Sequence, residues 1–352
     1  MDVTNDVIFN TVYRKFKRRN SSCEDIDVLI SVLDGEVGSG NYGVNPATVD
    51  AEEDINGFCV SYLNYRFFLP TIATLKPRYN GITCLGDSFN EAEIILPTYI
   101  QRMMLDKLSQ SIIRAPSHEE KIIAGDRALT AMFPPQSLAV LCTELYSLFP
   151  VLEECLIQIR ETVEAYCLGL YRSAISTLLP CIEHAIRGLG VRLGVNNPNE
   201  VGTAHLLSIY DEWLRYYIDK FVYRDYDWVH ETARSKKFFA TFDDRFQIVL
   251  NARQYVQNHL YQNSQKDNGL SMLNRHSILH GFMPKYHTMG NYLRLINLLN
   301  NLCFMMTFTG VHASLFFPQS TVRSMAFTVN LLTLEHAGLT RAKLLDSNAI
   351  GR

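Results

Sequence analysis

Apolar residues recur every three or four positions along most of the second half of the chain, which is the period of an amphipathic helix. Between Val151 and Cys167, apolar positions fall on one face, while Glu153, Arg160 and Glu161 fall on the other. The same period, interrupted by glycine, proline or asparagine, predicts further helices at about 171–194, 203–222, 243–262 and 288–309. A short helix that ends at Gly281 and Pro284 is predicted before the last of them. These segments together predict an up-and-down helical bundle.

The pattern is weaker in the first part of the chain. It predicts helices at Val7–Arg19 and Glu91–Ile113, with loops rich in glycine, asparagine and aspartate between them. Gly38–Gly43 fits the spacing Gly-x-Gly-x-x-Gly, but Pro46 follows closely, so no helix N-terminus is available to hold a phosphate and we interpret the segment as a loop. The predicted fold class is all-α, with a mainly helical N-terminal domain before the bundle.

Paired prolines at 134 and 135 mark the predicted domain boundary, because they stop a helix and stiffen a linker. A chain of 352 residues is long enough for two domains. We therefore predict an N-terminal domain at residues 1–138, with a sensing or regulatory role left open, and the bundle at 139–317. A C-terminal extension occupies 318–352, and its pattern does not decide between strand and helix.

One long uncharged run resembles a membrane span. No charged residue occurs from Leu295 to Val322, a length that could cross about 30 Å of hydrocarbon. Asn297, Asn300 and His312 interrupt the run, however, so we interpret it as the buried closing helix of the bundle and expect no membrane partner.

Charge and cysteine usage narrow the classes of function. The net charge of −3 argues against a broad basic surface that coats duplex nucleic acid, although a local RNA cleft stays open. The basic run Arg14–Arg19 is interpreted as a solvated helix face. Eight cysteines form no Cys-x-x-Cys pair, and the polar stretch Met1–Asp6 has no signal-peptide core, so we expect a reducing, cytoplasmic location.

The segment Asn274–Gly281 is the strongest candidate for chemistry. It places Arg275, His276 and His280 around one helix end. Two other arginines, Arg224 and Arg253, also precede a histidine by a similar spacing, at His230 and His259; we interpret both pairs as ordinary helix-surface pairs, because the surrounding pattern is missing.

Taken together, the motif, the helix that carries Glu183 and the helix order from about 151 to 317 resemble the HEPN superfamily, especially its bacterial abortive-infection branches with an Asn-Arg-His-x-x-x-His-Gly pattern. The resemblance covers about half of the chain and implies a HEPN-like bundle. It implies a metal-independent endoribonuclease, acting as a toxin or phage-defence effector, and a homodimer with a composite cleft whose rim could include His259, Tyr286 and His287. An antitoxin or a phage-derived trigger is a possible partner.

The residue types suit RNA cleavage. RNA carries its own nucleophile, the 2′-hydroxyl, next to the phosphate, so an enzyme needs an acid, a base and positive charge. We assign the acid–base role to His280 and stabilisation of the transition-state charge to Arg275. Glu183 borders an apolar face and is expected to pair with Arg275 and orient it, and His276 is expected to orient a neighbour or contact substrate.

No metal or cofactor is expected, because the chain lacks His-Glu-x-x-His, a zinc-spaced Cys/His cluster and Gly-x-Ser-x-Gly. The main alternative is a catalytically inactive HEPN bundle that serves as a dimerisation and ligand- or protein-binding module. A membrane-anchored sensor is a third hypothesis and depends on the uncharged run.

Overall fold

The computed structural model describes residues 3–77, 82–197, 200, 202–262, 271, 273–281 and 285–349, apart from the side chains of residues 3, 4, 82–84 and 346–349. Within these residues the chain is mostly helical and contains a four-stranded sheet. The all-α prediction is therefore confirmed for the dominant type of element and wrong in leaving out the sheet.

The elements are numbered in chain order. The helices are α1 (Val3–Arg19), α2 (Ile26–Val37), α3 (Ile82–Glu91), α4 (Arg102–Ile113), α5 (His118–Met132), α6 (Pro135–Val140), α7 (Pro150–Glu153), α8 (Leu156–Cys167), α9 (Tyr171–Arg192), α10 (Thr203–Tyr216), α11 (Lys236–Phe239), α12 (Asp244–Tyr255), α13 (Arg275–Leu279), α14 (Met289–Thr307) and α15 (Val322–Ala349). The strands are β1 (Tyr42–Val49), β2 (Ile55–Tyr62), β3 (Tyr65–Pro70) and β4 (Trp228–Val229). Wider helical turns continue α10 over Tyr217–Val222 and α12 over Val256–Leu260.

The chain forms two compact units, and each is discontinuous in sequence. Unit 1 consists of Met1–Thr83 and Leu214–Gln247, and unit 2 of Cys84–Trp213 and Ile248–Arg352. The predicted boundary at 138/139 is not the division between these units. Pro134 caps α6 and Pro135 is its first residue, so the paired prolines separate two helices within unit 2.

Unit 1 is built on the sheet, in the order β1-β2-β3-β4. The first three strands form an antiparallel meander, and β4 pairs in parallel with β3 where Phe67 lies opposite Trp228. Helix α1, predicted from 7 to 19, packs on the sheet through Phe9, whose ring stacks on that of Phe67 with centroids 3.5 Å apart. Residues Gly38–Asn41 join α2 to β1 as a loop, as interpreted, whereas Tyr42 and Gly43 already belong to β1.

Unit 2 is organised around α9 and α14. Helix α9 packs against α8, α13 and α14, and every residue of α14 from Gly290 to Met306 is buried. The uncharged run therefore begins as a buried closing helix, as predicted, and no helix in the described part of the chain is long and apolar enough to cross a membrane. The C-terminal segment, whose fold the sequence left open, forms α15 and packs against α6 and α8.

The helix predicted at Glu91–Ile113 is confirmed only in its second half, which is α4, since α3 ends at Glu91 and α4 begins at Arg102. The intervening segment is irregular, and its carbonyl oxygens accept hydrogen bonds from α14. Arg294 donates to the carbonyls of Ala92 and Glu93 at 3.0 and 2.9 Å, and Asn297 donates to that of Ile95 at 2.7 Å. These bonds replace those of a helix, so tertiary contacts override local helical propensity here.

Candidate functional site

Helix α9 places a carboxylate at the edge of a buried apolar face. Its apolar stripe is fully buried in unit 2, and Glu183 in this helix is only 7% exposed. A buried carboxylate is costly unless it is paired and hydrogen-bonded, so the surroundings of Glu183 must supply donors.

Those donors come from α9 itself and from two later segments. Arg275 binds the carboxylate with two nitrogens, Nε at 2.5 Å from Oε1 and Nη2 at 3.2 Å from Oε2. The hydroxyl of Tyr261 donates to Oε1 at 3.1 Å, and Nη1 of Arg187 lies 3.7 Å from Oε2. The predicted pairing of Glu183 with Arg275 is therefore present, in the two-pronged geometry that a planar guanidinium favours.

Tyr261 is a member of this cluster that the sequence did not reveal. Burial raises its pKa, and the negative charge of Glu183 raises it further. The phenol therefore stays protonated at neutral pH and serves as a donor to Glu183. Arg187 was also missed, although its position four residues after Glu183 on a helix is a recognisable signal for an ion pair.

Helix α13 begins directly at Arg275 because Asn274 caps it. The Asn274 side chain is fully buried; its Oδ1 accepts from the backbone N–H of Ser277 at 3.0 Å, and its Nδ2 donates to the carbonyl of Gln262 at 2.8 Å. The asparagine of the motif thus fixes both the start of the helix and its attachment to the chain that follows α12.

The same helix ends where the sequence predicted. Gly281 has a φ of +77°, a left-handed conformation that favours glycine, and His280 is the C-terminal cap. Pro284, also predicted to end the helix, lies outside the described residues. The backbone N–H of His280 donates to the carbonyl of His276 at 3.1 Å, so the short helix is closed at both ends.

The two motif histidines lie side by side on the exposed side of α13. Their ring centroids are 4.4 Å apart with planes tilted by 49°, as expected for side chains four residues apart on a helix. Arg275 instead turns toward buried Glu183, and its side chain is 23% exposed. Three of the four predicted site residues thus lie on α13 or at its C-terminal cap, and Glu183 contacts the first of them, with the guanidinium inward and the imidazoles outward.

Polar side chains from α14 and from unit 2 loops hold the segments on either side of α13. Nδ2 of Asn291 donates to the carbonyls of Ser271 at 2.6 Å and Tyr286 at 2.8 Å. The backbone N–H of Ser271 donates to the carboxylate of Glu93 at 3.0 Å. Asn291 and Glu93 therefore anchor the chain before and after the motif, and neither was identified from the sequence.

The residues expected at the rim of the cleft are divided between two places. The hydroxyl of Tyr286 lies 3.2 Å from that of Ser176 on α9, and the ring of His287 stands perpendicular to that of Tyr286. His259, by contrast, has its Nδ1 3.9 Å from the buried carboxylate of Glu93.

The other two arginine–histidine pairs, Arg253 with His259 and Arg224 with His230, differ from the motif in their surroundings. Arg253 on α12 is held by Asp211, with Nε and Nη2 at 3.1 and 2.8 Å from the same carboxylate oxygen. Arg224 lies in a turn and His230 follows β4, so their interpretation as a helix-surface pair is wrong.

In the described part of the chain, no group of three or more His, Cys, Asp or Glu side chains is arranged to hold a metal ion. The seven cysteines whose side chains the structure describes are free and buried. No family model, no curated protein and no solved structure matches this chain.

Proposed function

We propose that the chain is a metal-independent endoribonuclease of the HEPN type, active as a cytoplasmic toxin or phage-defence effector. The observation that carries the proposal is the arrangement at α13, where Arg275 is held on buried Glu183 and His276 and His280 lie together on the exposed side. The same short helix thus carries a fixed cation and two imidazoles, which are the charge and the proton-transfer groups that cleavage by the 2′-hydroxyl requires.

Each residue has a defined task in this proposal. His280 removes the proton of the 2′-hydroxyl or protonates the leaving 5′-oxygen, and the attack yields a 2′,3′-cyclic phosphate and a 5′-hydroxyl. Arg275 uses Nε and Nη2 to bind Glu183, which leaves Nη1 for a phosphate oxygen on which negative charge develops. His276 contacts substrate or orients His280, and Glu183 positions the arginine.

The proposal includes a homodimer in which two copies of α13 form one composite cleft, because a single arginine–histidine set supplies only part of an acid–base pair. The RNA substrate then lies between two exposed histidine pairs. A trigger or an antitoxin would control this activity.

The alternative is a catalytically inactive bundle that acts as a dimerisation and binding module. The burial of the Arg275–Glu183 ion pair favours this alternative. Two nitrogens of Arg275 already bind Glu183, and the pair also links α13 to α9. In that case the motif would be a structural clamp.

RNA cleavage by purified protein separates the two functions. Wild type, Arg275→Ala and His280→Ala are incubated with mixed RNA in the presence of a chelator, and the cut ends are mapped. We expect cleavage by the wild type that leaves cyclic phosphates, and a loss of about 100-fold or more in each variant.

Arg224→Ala and His336→Ala are the matched controls, since both residues are exposed and neither belongs to α13. They should cut RNA like the wild type. Uncut RNA with every folded protein, together with equal growth of cells that express wild type or His280→Ala, would favour the inactive module.

A further inference from the structure

The basic run on α1 has two different sides. Lys15 pairs with Glu36 on α2, and Nη1 of Arg19 donates to the hydroxyl of Ser31 at 3.3 Å. Arg14 and Lys17 instead line a pocket of about 490 Å³ in unit 1, and neither has a carboxylate partner among the residues that the structure describes. Two neighbouring cations without a counter-charge repel each other, so this end of the pocket favours an anion.

A histidine from a distant part of the sequence faces the same pocket. His230 follows β4, and its ring centroid is 4.1 Å from that of Tyr13 on α1. Its Nδ1 accepts from the backbone N–H of Thr232 at 3.3 Å, so the neutral ring carries its proton on Nε2. Burial lowers the pKa of His230, which keeps the ring neutral and leaves Nε2–H as a donor.

The opposite end of the pocket has the opposite polarity. Asp6, also in the pocket lining, accepts hydrogen bonds from the indole of Trp228 at 2.6 Å and from the amide of Asn10 at 3.1 Å. It precedes Arg14 by eight residues on α1, which separates the two by about 12 Å along the helix axis. The apolar side chains of Val7 and Leu75 also line the pocket.

We propose that this pocket binds a nucleotide, with its phosphate at Arg14, Lys17 and Nε2–H of His230 and a hydroxyl or amino group directed toward Asp6. The cations and the imidazole offer charge-assisted hydrogen bonds to a terminal phosphate. Asp6 accepts a hydrogen bond from a sugar hydroxyl or a base amino group, and the apolar side chains of Val7 and Leu75 pack against the base ring. The volume lies within the range of about 300–1,000 Å³ that small-molecule sites occupy. This site is independent of the proposed ribonuclease activity.

Calorimetric titration of the full-length chain tests the site, with AMP, GMP, CMP and UMP as probes and with adenosine and inorganic phosphate as fragments. At least one nucleotide should bind saturably at one per chain, and each fragment should bind at least about tenfold more weakly. Arg14→Gln and Lys17→Gln should each weaken nucleotide binding by roughly tenfold or more, because each removes a charge-assisted hydrogen bond.

Arg18→Gln is the matched control, since Arg18 is an exposed cation of the same helix that does not line the pocket. It should bind nucleotide like the wild type, and thermal melting should show all three variants folded. Equal binding by Arg14→Gln and Arg18→Gln would overturn the proposal, as would the absence of saturable binding to the folded wild type. Binding of the dinucleotide ApA as tight as that of AMP would also overturn it, because ApA has no terminal phosphate and would indicate an RNA-backbone site.

Discussion

At the scale of single residues, Glu183 is the centre of the candidate site. Its pairing with Arg275, 92 positions later, could be predicted because a carboxylate at the edge of an apolar helix face requires a cation. The phenol of Tyr261 could not be predicted in the same way. Tyrosine is common in cores, and nothing in the sequence indicates which of 18 tyrosines meets the carboxylate.

Tyr261→Phe tests the importance of this contact. The change keeps the ring and removes one hydrogen bond to a buried carboxylate, so the free energy of unfolding should fall by about 1–3 kcal/mol. If Glu183 positions Arg275 for catalysis, RNA cleavage should fall as well. Denaturant unfolding and cleavage assays measure the two effects.

Tyr286→Phe is the control for Tyr261→Phe, because it removes a hydrogen bond between two neutral hydroxyls, at 3.2 Å from Ser176. Its cost should be smaller, about 0.5–1.5 kcal/mol. A greater loss of stability in Tyr286→Phe than in Tyr261→Phe would contradict the assignment of Tyr261 to the buried charge.

At the scale of elements, the helical period predicted α1, α9, α14 and the continuous helical stretches around α10 and α12. The sequence pattern did not predict the strands, and the reason is physical. β1 is an edge strand with one fully buried residue, and its alternation of less and more exposed positions shifts by one at Pro46, so the strand lacks a continuous two-residue period. The irregular segment after α3 was not predicted because the donors to its carbonyl oxygens belong to α14, about 200 residues later in the sequence.

Asn274→Ala should destabilise its helix, α13, more than removal of an N-terminal cap destabilises a long helix. Removal of the cap costs about 1 kcal/mol, and α13 has only five residues and no long buried face to compensate. RNA cleavage should therefore fall, because Arg275 and His280 depend on the geometry of α13, and hydrogen exchange of the Ser277 amide should become faster.

The N-terminal cap of α14 provides the comparison. Thr288 accepts from the backbone N–H of Asn291 at 3.1 Å, and the helix it caps is buried along its length. Thr288→Ala should lower the free energy of unfolding by a similar amount and keep wild-type RNA cleavage. A variant Asn274→Ala with wild-type cleavage would show that the cap does not position the motif.

At the scale of the whole molecule, each compact unit combines segments that are far apart in sequence. A boundary based on paired prolines cannot reveal this organisation, because it assumes that a domain is one continuous stretch. In unit 1, Trp228 and His230 join the sheet and the α1 pocket although the unit 2 segment Cys84–Trp213 lies between them and the first part of unit 1 in the sequence. Long-range pairing of this kind leaves no local pattern.

A carboxylate within unit 1 should make its stability depend on pH. Glu52 accepts from the backbone N–H of Asp244 at 2.5 Å, and partial desolvation of this exposed side chain, together with the carboxylates of Asp244 and Asp243, raises the pKa of Glu52 from 4.5 to about 7. Between these values the folded chain binds more protons than the unfolded chain. Stability is therefore lost as the pH rises from about 4.5 through 7.

Glu52→Gln should remove this loss, because the amide keeps an acceptor for the N–H of Asp244 and carries no charge. Urea unfolding should show the variant more stable than the wild type at pH 8, with a difference that shrinks as the pH falls toward 4.5. Glu53→Gln, at the adjacent exposed position, controls for the loss of one negative charge and should show no such trend. If Glu52→Gln were less stable than the wild type at pH 8, the charged form of Glu52 would have to stabilise unit 1. The direction of its pKa shift would then be the reverse of the one that its partial desolvation and its two carboxylate neighbours require.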